Sequence, residues 1–237
     1  MSLLLICSIV LSEDVQILTA PLEQLLKDVS LLSLGCNQNL ELARDVGYAV
    51  AMLVRLRGYE YCVIGTMSTL KQDDESPLGK ISRSPYITAQ VLVYLAEGLV
   101  SGGVVPLLNA TGEVDPNVVK SLISREAVYP AYVEDESKAL LLERMGYTAT
   151  FATPQGVIRG RLPQLVDPPP IETIDIDSLR RQLLEGAVVL LNKNKRSVSV
   201  NDPFSEDGVL VFSNEEWLIE KAYRVLDGKE VPTGRSP

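Results

Sequence analysis

The chain contains no histidine in 237 residues, only three cysteines, and 5% aromatic residues. Without an imidazole, every Ser–His, Cys–His and His-ligated metal mechanism is excluded. Acid–base chemistry near neutral pH would fall to a carboxylate, Lys, Tyr or Cys with a strongly displaced pKa. Cys7, Cys36 and Cys62 are odd in number and far apart, so they make neither a disulfide framework nor a metal-ligand spacing. This predicts a reduced, cytoplasmic protein without a cofactor. Basic residues are also scarce, 22 against 31 acidic for a net charge of -9, which argues against a nucleic-acid partner because phosphate contacts need clustered Lys and Arg. The one basic run, Lys193-Asn194-Lys195-Arg196, reads as a solvated loop. Long apolar runs are missing too. Residues 3–10 fall short of the roughly 20 needed to cross a bilayer, and they lack the basic start and small-residue cleavage site of a signal peptide. They read as a buried strand, and no membrane partner is expected.

What is present is an ordinary globular composition, 46% hydrophobic and 22% charged, arranged as alternating strands and helices. A helical stretch over 22–32 follows the first strand. Asn39 then caps a helix bearing Leu42, Val46, Ala49, Val50 and Leu53 on one face, closed by Gly58. Residues 61–66 read as a strand, and 68–84 as a long polar loop whose length points to function or to its vestige. Pro85 opens a helix with Ile87, Val91, Leu95 and Leu99 along one side, closed by Gly102-Gly103. Strands are predicted at 104–108, 127–133, 147–152, 187–191 and 209–212. Helices are predicted at 118–124, 136–145, 178–185 with Asp177 as cap, and 214–226. Asp167-Pro168-Pro169-Pro170 is a stiff connector, and 231–237 reads as a disordered tail. Near-continuous apolar strands between helices imply one α/β domain over 1–230 with a parallel sheet. The expected architecture is a TIM-like (β/α) barrel, incomplete or irregular, with an open doubly wound sheet as the alternative.

Several short segments, in order, resemble the catalytic barrel of the family 3 glycoside hydrolases. Val15-Gln16-Ile17-Leu18-Thr19 is similar to the family's Gly-Gly-Arg-Val-Gln-Arg-Leu-Thr stretch. Asn39-Leu40-Glu41-Leu42-Ala43-Arg44-Asp45-Val46-Gly47 resembles its Asn-Pro-Glu-Leu-Ala-x-Glu-x-Gly helix start. Pro77-Leu78-Gly79 through Ser82 and Pro85 looks like its Gly-x-Arg-Ser-Phe-Gly-x-Asp-Pro loop. Gly146-Tyr147 resembles the start of its Gly-Phe strand, and residues 184–191 its Glu-Ala-Gly-Ala-Asp-Leu-Leu-Leu. The similarity runs from about residue 3 to 160, with a weaker continuation to 228, and the family's first strand would precede Met1.

The resemblance implies a dismantled site. The family's sugar-binding Asp falls on Ile9, the Arg of its Gly-Gly-Arg-Val stretch on Asp14, the Asp ending the next strand on Ser68, and the loop Arg on Ile81. Its Lys-His-Phe-Pro-Gly-His-Gly-Asp motif meets residues 108–115, keeping only Gly112 and Asp115. Its nucleophilic Asp lies on Pro154. A retaining glycosidase needs a carboxylate nucleophile and a second acid, or a substitute for that acid, so no catalytic residue is expected. The polar positions at the mouth of such a barrel would be Glu13, Asp14, Ser68, Asn109, Glu113, Asp115, Thr153 and Gln155. Among them Asp14, Ser68, Asn109, Glu113, Asp115 and Gln155 are the candidate ligand contacts, and Glu113 is the one alternative acid. Tyr59, Tyr61, Tyr129 and Tyr132 could stack on sugars but are expected to pack in the core, as is Trp217. The reading is therefore an inactive family 3-like protein with a binding or assembly role. The alternative is a carbohydrate-binding or glycoside-hydrolysing protein with repurposed carboxylates. A barrel lacking its first strand leaves an open edge, which predicts a homo-oligomer or a substitute strand from the C-terminal region.

Overall fold

The computed structural model describes residues 17–20, 22–37, 39–165 and 167–236. The predicted strand at 3–10, together with Ile9, Glu13 and Asp14, lies outside the described residues. The main layer is a six-stranded sheet of β1 (Ile17–Leu18), β2 (Tyr61–Ile64), β3 (Val105–Asn109), β4 (Ala131–Tyr132), β5 (Phe151–Thr153) and β6 (Gly156–Arg159). Its order follows the chain, β1-β2-β3-β4-β5-β6, and the sheet curls into a half-barrel. β1 to β5 are parallel, and β6 returns antiparallel to β5. A doubly wound sheet reverses its strand order at a switch point. No reversal occurs among the described strands, whose curled half-barrel is compatible with an incomplete α/β barrel rather than with the doubly wound alternative.

Two faces of the strands bury different sets of side chains. Cys62 and Ile64 of β2, Leu108 of β3, Ala131 of β4 and Phe151 of β5 join the large core under the helices. The alternate residues Tyr61, Val105, Leu107 and Ala152 form a smaller cluster on the inner face, closed by Leu162. Pro106 is tolerated inside β3 because β4 pairs only from Leu108 onward, beyond the point where residue 106 would have donated.

The helices α2 (Leu31–Asn37), α3 (Leu40–Leu56), α4 (Pro85–Ser101), α5 (Pro116–Ser124) and α6 (Glu136–Arg144) cover the outer face. The single helix expected over 22–32 is instead α1 (Leu22–Leu25) and α2, broken at Asp28, whose φ is 60°. Ser30 and Ser33 explain the restart. Each backbone N–H donates to the other's hydroxyl, at 3.1 and 3.0 Å, which caps α2.

Beyond the connector come α7 (Ile176–Gly186), β7 (Val189–Leu190), β8 (Val198–Val200), β9 (Val209–Val211) and α8 (Glu216–Leu226). The strands form a second sheet in the order β7-β9-β8, with β9 antiparallel to β7 and parallel to β8. Its residues Val209, Leu210 and Val211 belong to the same continuous core as α2 to α4. Asp175, not Asp177, caps α7, accepting from the backbone N–H of Ser178 at 2.9 Å. The segment after α8 does not hang free. Gly234 donates to the Val188 carbonyl at 2.8 Å and Arg235 to that of Cys36 at 2.9 Å, so the chain end is laid along β7 and α2. No helix among the described residues is long and apolar enough to cross a membrane.

Candidate functional site at the mouth of the half-barrel

Parallel α/β sheets carry their sites at the C-terminal ends of the strands. A cavity of about 370 Å³ opens there. Its rim is Thr19 after β1, Gly65 and Thr66 after β2, Asn109 and Thr111 at the end of β3, and Lys80 from the long loop. Its floor is apolar, with Leu22, Leu25 and Leu31 on one side and Val50, Leu95 and Leu99 of α3 and α4 below. Gly65 makes the turn out of β2 with φ 57°, and a Cβ there would meet Leu92 Cδ2 at 2.1 Å. Only glycine lets the chain leave the strand this close to α4.

The 68–84 loop is pinned rather than loose. Leu70 donates to the Ser82 carbonyl at 2.9 Å, Ile81 is fully buried, and Ser84 caps α4 by accepting from Ile87. The short 3-10 turn Pro77–Gly79 then delivers Lys80, whose N–H closes on the Pro77 carbonyl. From that anchor the Lys80 ammonium reaches the buried Ser68 hydroxyl at 2.5 Å, and Ser68 lies 2.9 Å from the Thr66 hydroxyl. Asn109 Oδ1 accepts from the backbone N–H of Thr111 at 3.0 Å and from its hydroxyl at 2.7 Å.

Of the residues expected at the mouth, Asn109 lines the cavity, and Ser68 lies behind two residues that do, bonded to Lys80 and Thr66. Glu113 and Asp115 are not brought to it. Glu113 is exposed and bound to Lys71 at 2.5 Å, a bond that raises the Lys71 pKa, in a shallow acidic depression outside the cavity. Asp115 is the N-cap of α5, accepting from Asn117 N–H at 2.8 Å and from the Thr69 hydroxyl at 2.9 Å. Pro154 and Gln155 form the exposed turn between β5 and β6, where Thr153 ties the turn by accepting from Gln155 N–H. Neither lines the cavity. Tyr59 and Tyr61 line a separate hollow by Arg55 and Gly103, and Tyr132 packs on the inner cluster. The Tyr147 hydroxyl donates to the Tyr129 carbonyl.

Thr19, Thr66, Lys80 and Thr111 were not among the predicted contacts. Lys80 neighbours Ile81, the position matched to the family's loop arginine, so a one-residue shift in that loop would have found it. The free thiols Cys36 and Cys62 are buried, and desolvation pushes each pKa up to about 12, which rules them out as nucleophiles near neutral pH. Among the described residues no group of three Cys, Asp or Glu is placed to hold a metal ion. Compared with models of known protein families and with curated proteins, the chain matches none.

Proposed function

We propose that the chain is a non-hydrolysing derivative of the family 3 glycoside hydrolase barrel that binds a small carbohydrate at the mouth of the half-barrel. One observation carries the reading: the mouth combines hydroxyl and amide groups with an apolar floor, while the nearby carboxylates are committed elsewhere. A sugar ring presents the matching surface, polar hydroxyls around its edge and apolar C–H faces. The volume of the cavity suits one such ring. Hydrolysis would instead ask for two carboxyl groups facing each other across the scissile bond. Glu113 is drawn outward by Lys71, and Asp115 holds α5. The order of sequence similarities to family 3 supports the same origin.

The test is calorimetric titration and thermal shift with glucose, N-acetylglucosamine and related monosaccharides. Saturable binding lost in Asn109→Leu but kept in Glu113→Gln is the expected result. Turnover of an aryl glycoside that Glu113→Gln abolishes would replace this reading with that of an enzyme using repurposed carboxylates. A second reading, self-association, draws on β6, an end strand of the sheet with Val157 and Ile158 half exposed. Sedimentation at increasing concentration decides it, and a monomer throughout would remove it.

A further inference from the structure

Three side chains of the mouth, Lys80, Thr66 and Asn109, keep hydrogens that no acceptor among the described residues takes up. Among the described residues Lys80 is the only charged one lining the cavity, in a protein of net charge -9. Among the described residues no carboxylate stands within 4.0 Å of its Nζ. Its one bond in the protein is to Ser68 Oγ at 2.5 Å. An ammonium can only donate, so Ser68 Oγ accepts there. Ser68 is buried, and the one acceptor its own hydrogen meets among the described residues is Thr66 Oγ1, 2.9 Å away, so Ser68 is assigned as donor to Thr66. Thr66 is thereby left with its hydroxyl hydrogen free, and Thr66 lines the cavity. Asn109, also on the rim, accepts twice from Thr111 at Oδ1, which leaves its NH₂ with no acceptor among the described residues. Two further ammonium hydrogens, one hydroxyl and one amide NH₂ therefore converge on the mouth. The hydroxyl oxygens of a neutral sugar can accept from these donors, but they leave the charge of Lys80 uncompensated. An oxyanion accepts from all of them and neutralises the lone cation.

We infer that the ligand of this site is an anionic sugar, a monosaccharide bearing a carboxylate or a phosphate, with Lys80 as its counter-ion and Thr66 and Asn109 as donors to the acidic group. This rests on the reading of the mouth as a carbohydrate site and names its ligand class. Asp73, Asp74 and Glu75 stand around the neighbouring depression that Lys80 also borders. They oppose any approaching anion, so contact of the sugar ring with the apolar floor has to add to the charge pairing for binding to be tight.

The experiment is calorimetric titration of the full chain with glucose, glucuronate, glucose 6-phosphate and inorganic phosphate. Glucuronate or glucose 6-phosphate is expected to bind at least tenfold tighter than glucose, and whichever wins separates carboxylate from phosphate. Lys80→Met and, independently, Thr66→Val should each remove most of that preference, read as the ratio of the anionic sugar's affinity to that of glucose in the same variant. The two variants are also compared with the parent by unliganded melting temperature, so a folding defect in one does not mask the result in the other. Equal affinity for glucose and both anions, or a preference that survives Lys80→Met, overturns the anionic assignment and leaves the carbohydrate reading standing. Phosphate alone binding as tightly as glucose 6-phosphate overturns the sugar, and no binding by any of the four overturns both.

Discussion

Arg180 is the least exposed of the ion-paired cations among the described residues, with its side chain only 12% exposed. From α7 it reaches Asp28 in the turn between α1 and α2, the carbonyl of Lys27, and Glu215 at the start of α8 at 2.7 Å. Ser213 donates to the same Asp28 carboxylate, and the Trp217 indole donates to Glu215. Removing a partly buried guanidinium strands two carboxylates, so Arg180→Met is expected to cost roughly 2–4 kcal/mol. Arg180→Lys should recover only part of this, because one ammonium cannot serve both carboxylates and the Lys27 carbonyl in a planar fork. The pH dependence identifies the cause. The bonds from Arg180 and Trp217 hold the Glu215 carboxyl below its ordinary value of 4.5. A depressed carboxylate contributes stability at pH values above its unfolded pKa and loses it as pH falls through the folded one. Urea titrations at pH 7 and pH 3 should therefore show the gap between parent and Arg180→Met narrowing at the lower pH. A gap of constant size would mean the arginine acts through packing alone.

Helices α3 and α4 make the most extensive helix–helix contact of the fold, and glycines set their separation. A Cβ on Gly98 would stand 2.0 Å from the Arg44 carbonyl oxygen and 2.8 Å from the Tyr48 nitrogen, and one on Gly47 2.2 Å from the Leu95 carbonyl oxygen. The obstructing atoms are backbone, which cannot swing aside. Across the seam Arg44 pairs with Glu97 at 2.8 Å and lies over the Tyr94 ring. By helix propensity alone Gly98→Ala would gain about 1 kcal/mol. The structure predicts the opposite sign, a net loss of about 2 kcal/mol or more, since the helices must part. Gly79→Ala, where nothing lies within 4 Å of the added carbon, is the near-neutral control in the same denaturation series. The two long helices were legible because their caps and apolar spacing are local: Asn39 and Ser84-Pro85 start them, and one face of each is buried. Why they touch through glycine was not legible, since Gly47 and Gly98 lie 51 residues apart. The short strands were missed for a related reason. β6 is a four-residue hairpin return with two exposed positions, and β8 follows a basic turn, so neither carries an apolar run.

At the level of the whole molecule, the alternation of strands and helices was readable, whereas the order of strands in the sheet was not, because it is fixed by crossovers rather than by local pattern. The site was half readable for the same reason. Ser68 and Asn109 sit next to strand ends and could be placed by counting, while Lys80 comes from a polar loop without periodicity. The absence of histidine, by contrast, was plain from the start and has a global consequence. No side chain has an ordinary pKa between about 5 and 8, so folding stability should be flat across that range. Below it, Glu215, Asp135 and Asp207 are depressed, Asp135 chiefly by the Ser137 hydroxyl and Asp207 chiefly by that of Ser197. Their contributions are held above the ordinary carboxylate values and fall away as pH drops through the lowered ones. Above pH 9 the sign reverses in origin but not in outcome. Burial raises Cys36 and Cys62 from 9.0 to about 12 and also raises Tyr147. A raised acid favours the folded state's neutral form only at a growing disadvantage, since the unfolded chain ionises first. The thiol contribution is therefore complete below pH 9 and declines from there to about 12, by up to roughly 4 kcal/mol for each thiol. Urea midpoints measured from pH 3 to 11 should trace a plateau with two falling shoulders. Cys36→Ala together with Cys62→Ala should lower the plateau through lost packing yet flatten the alkaline shoulder. An alkaline slope unchanged in that double variant would assign the loss to Tyr147 and Lys71 instead.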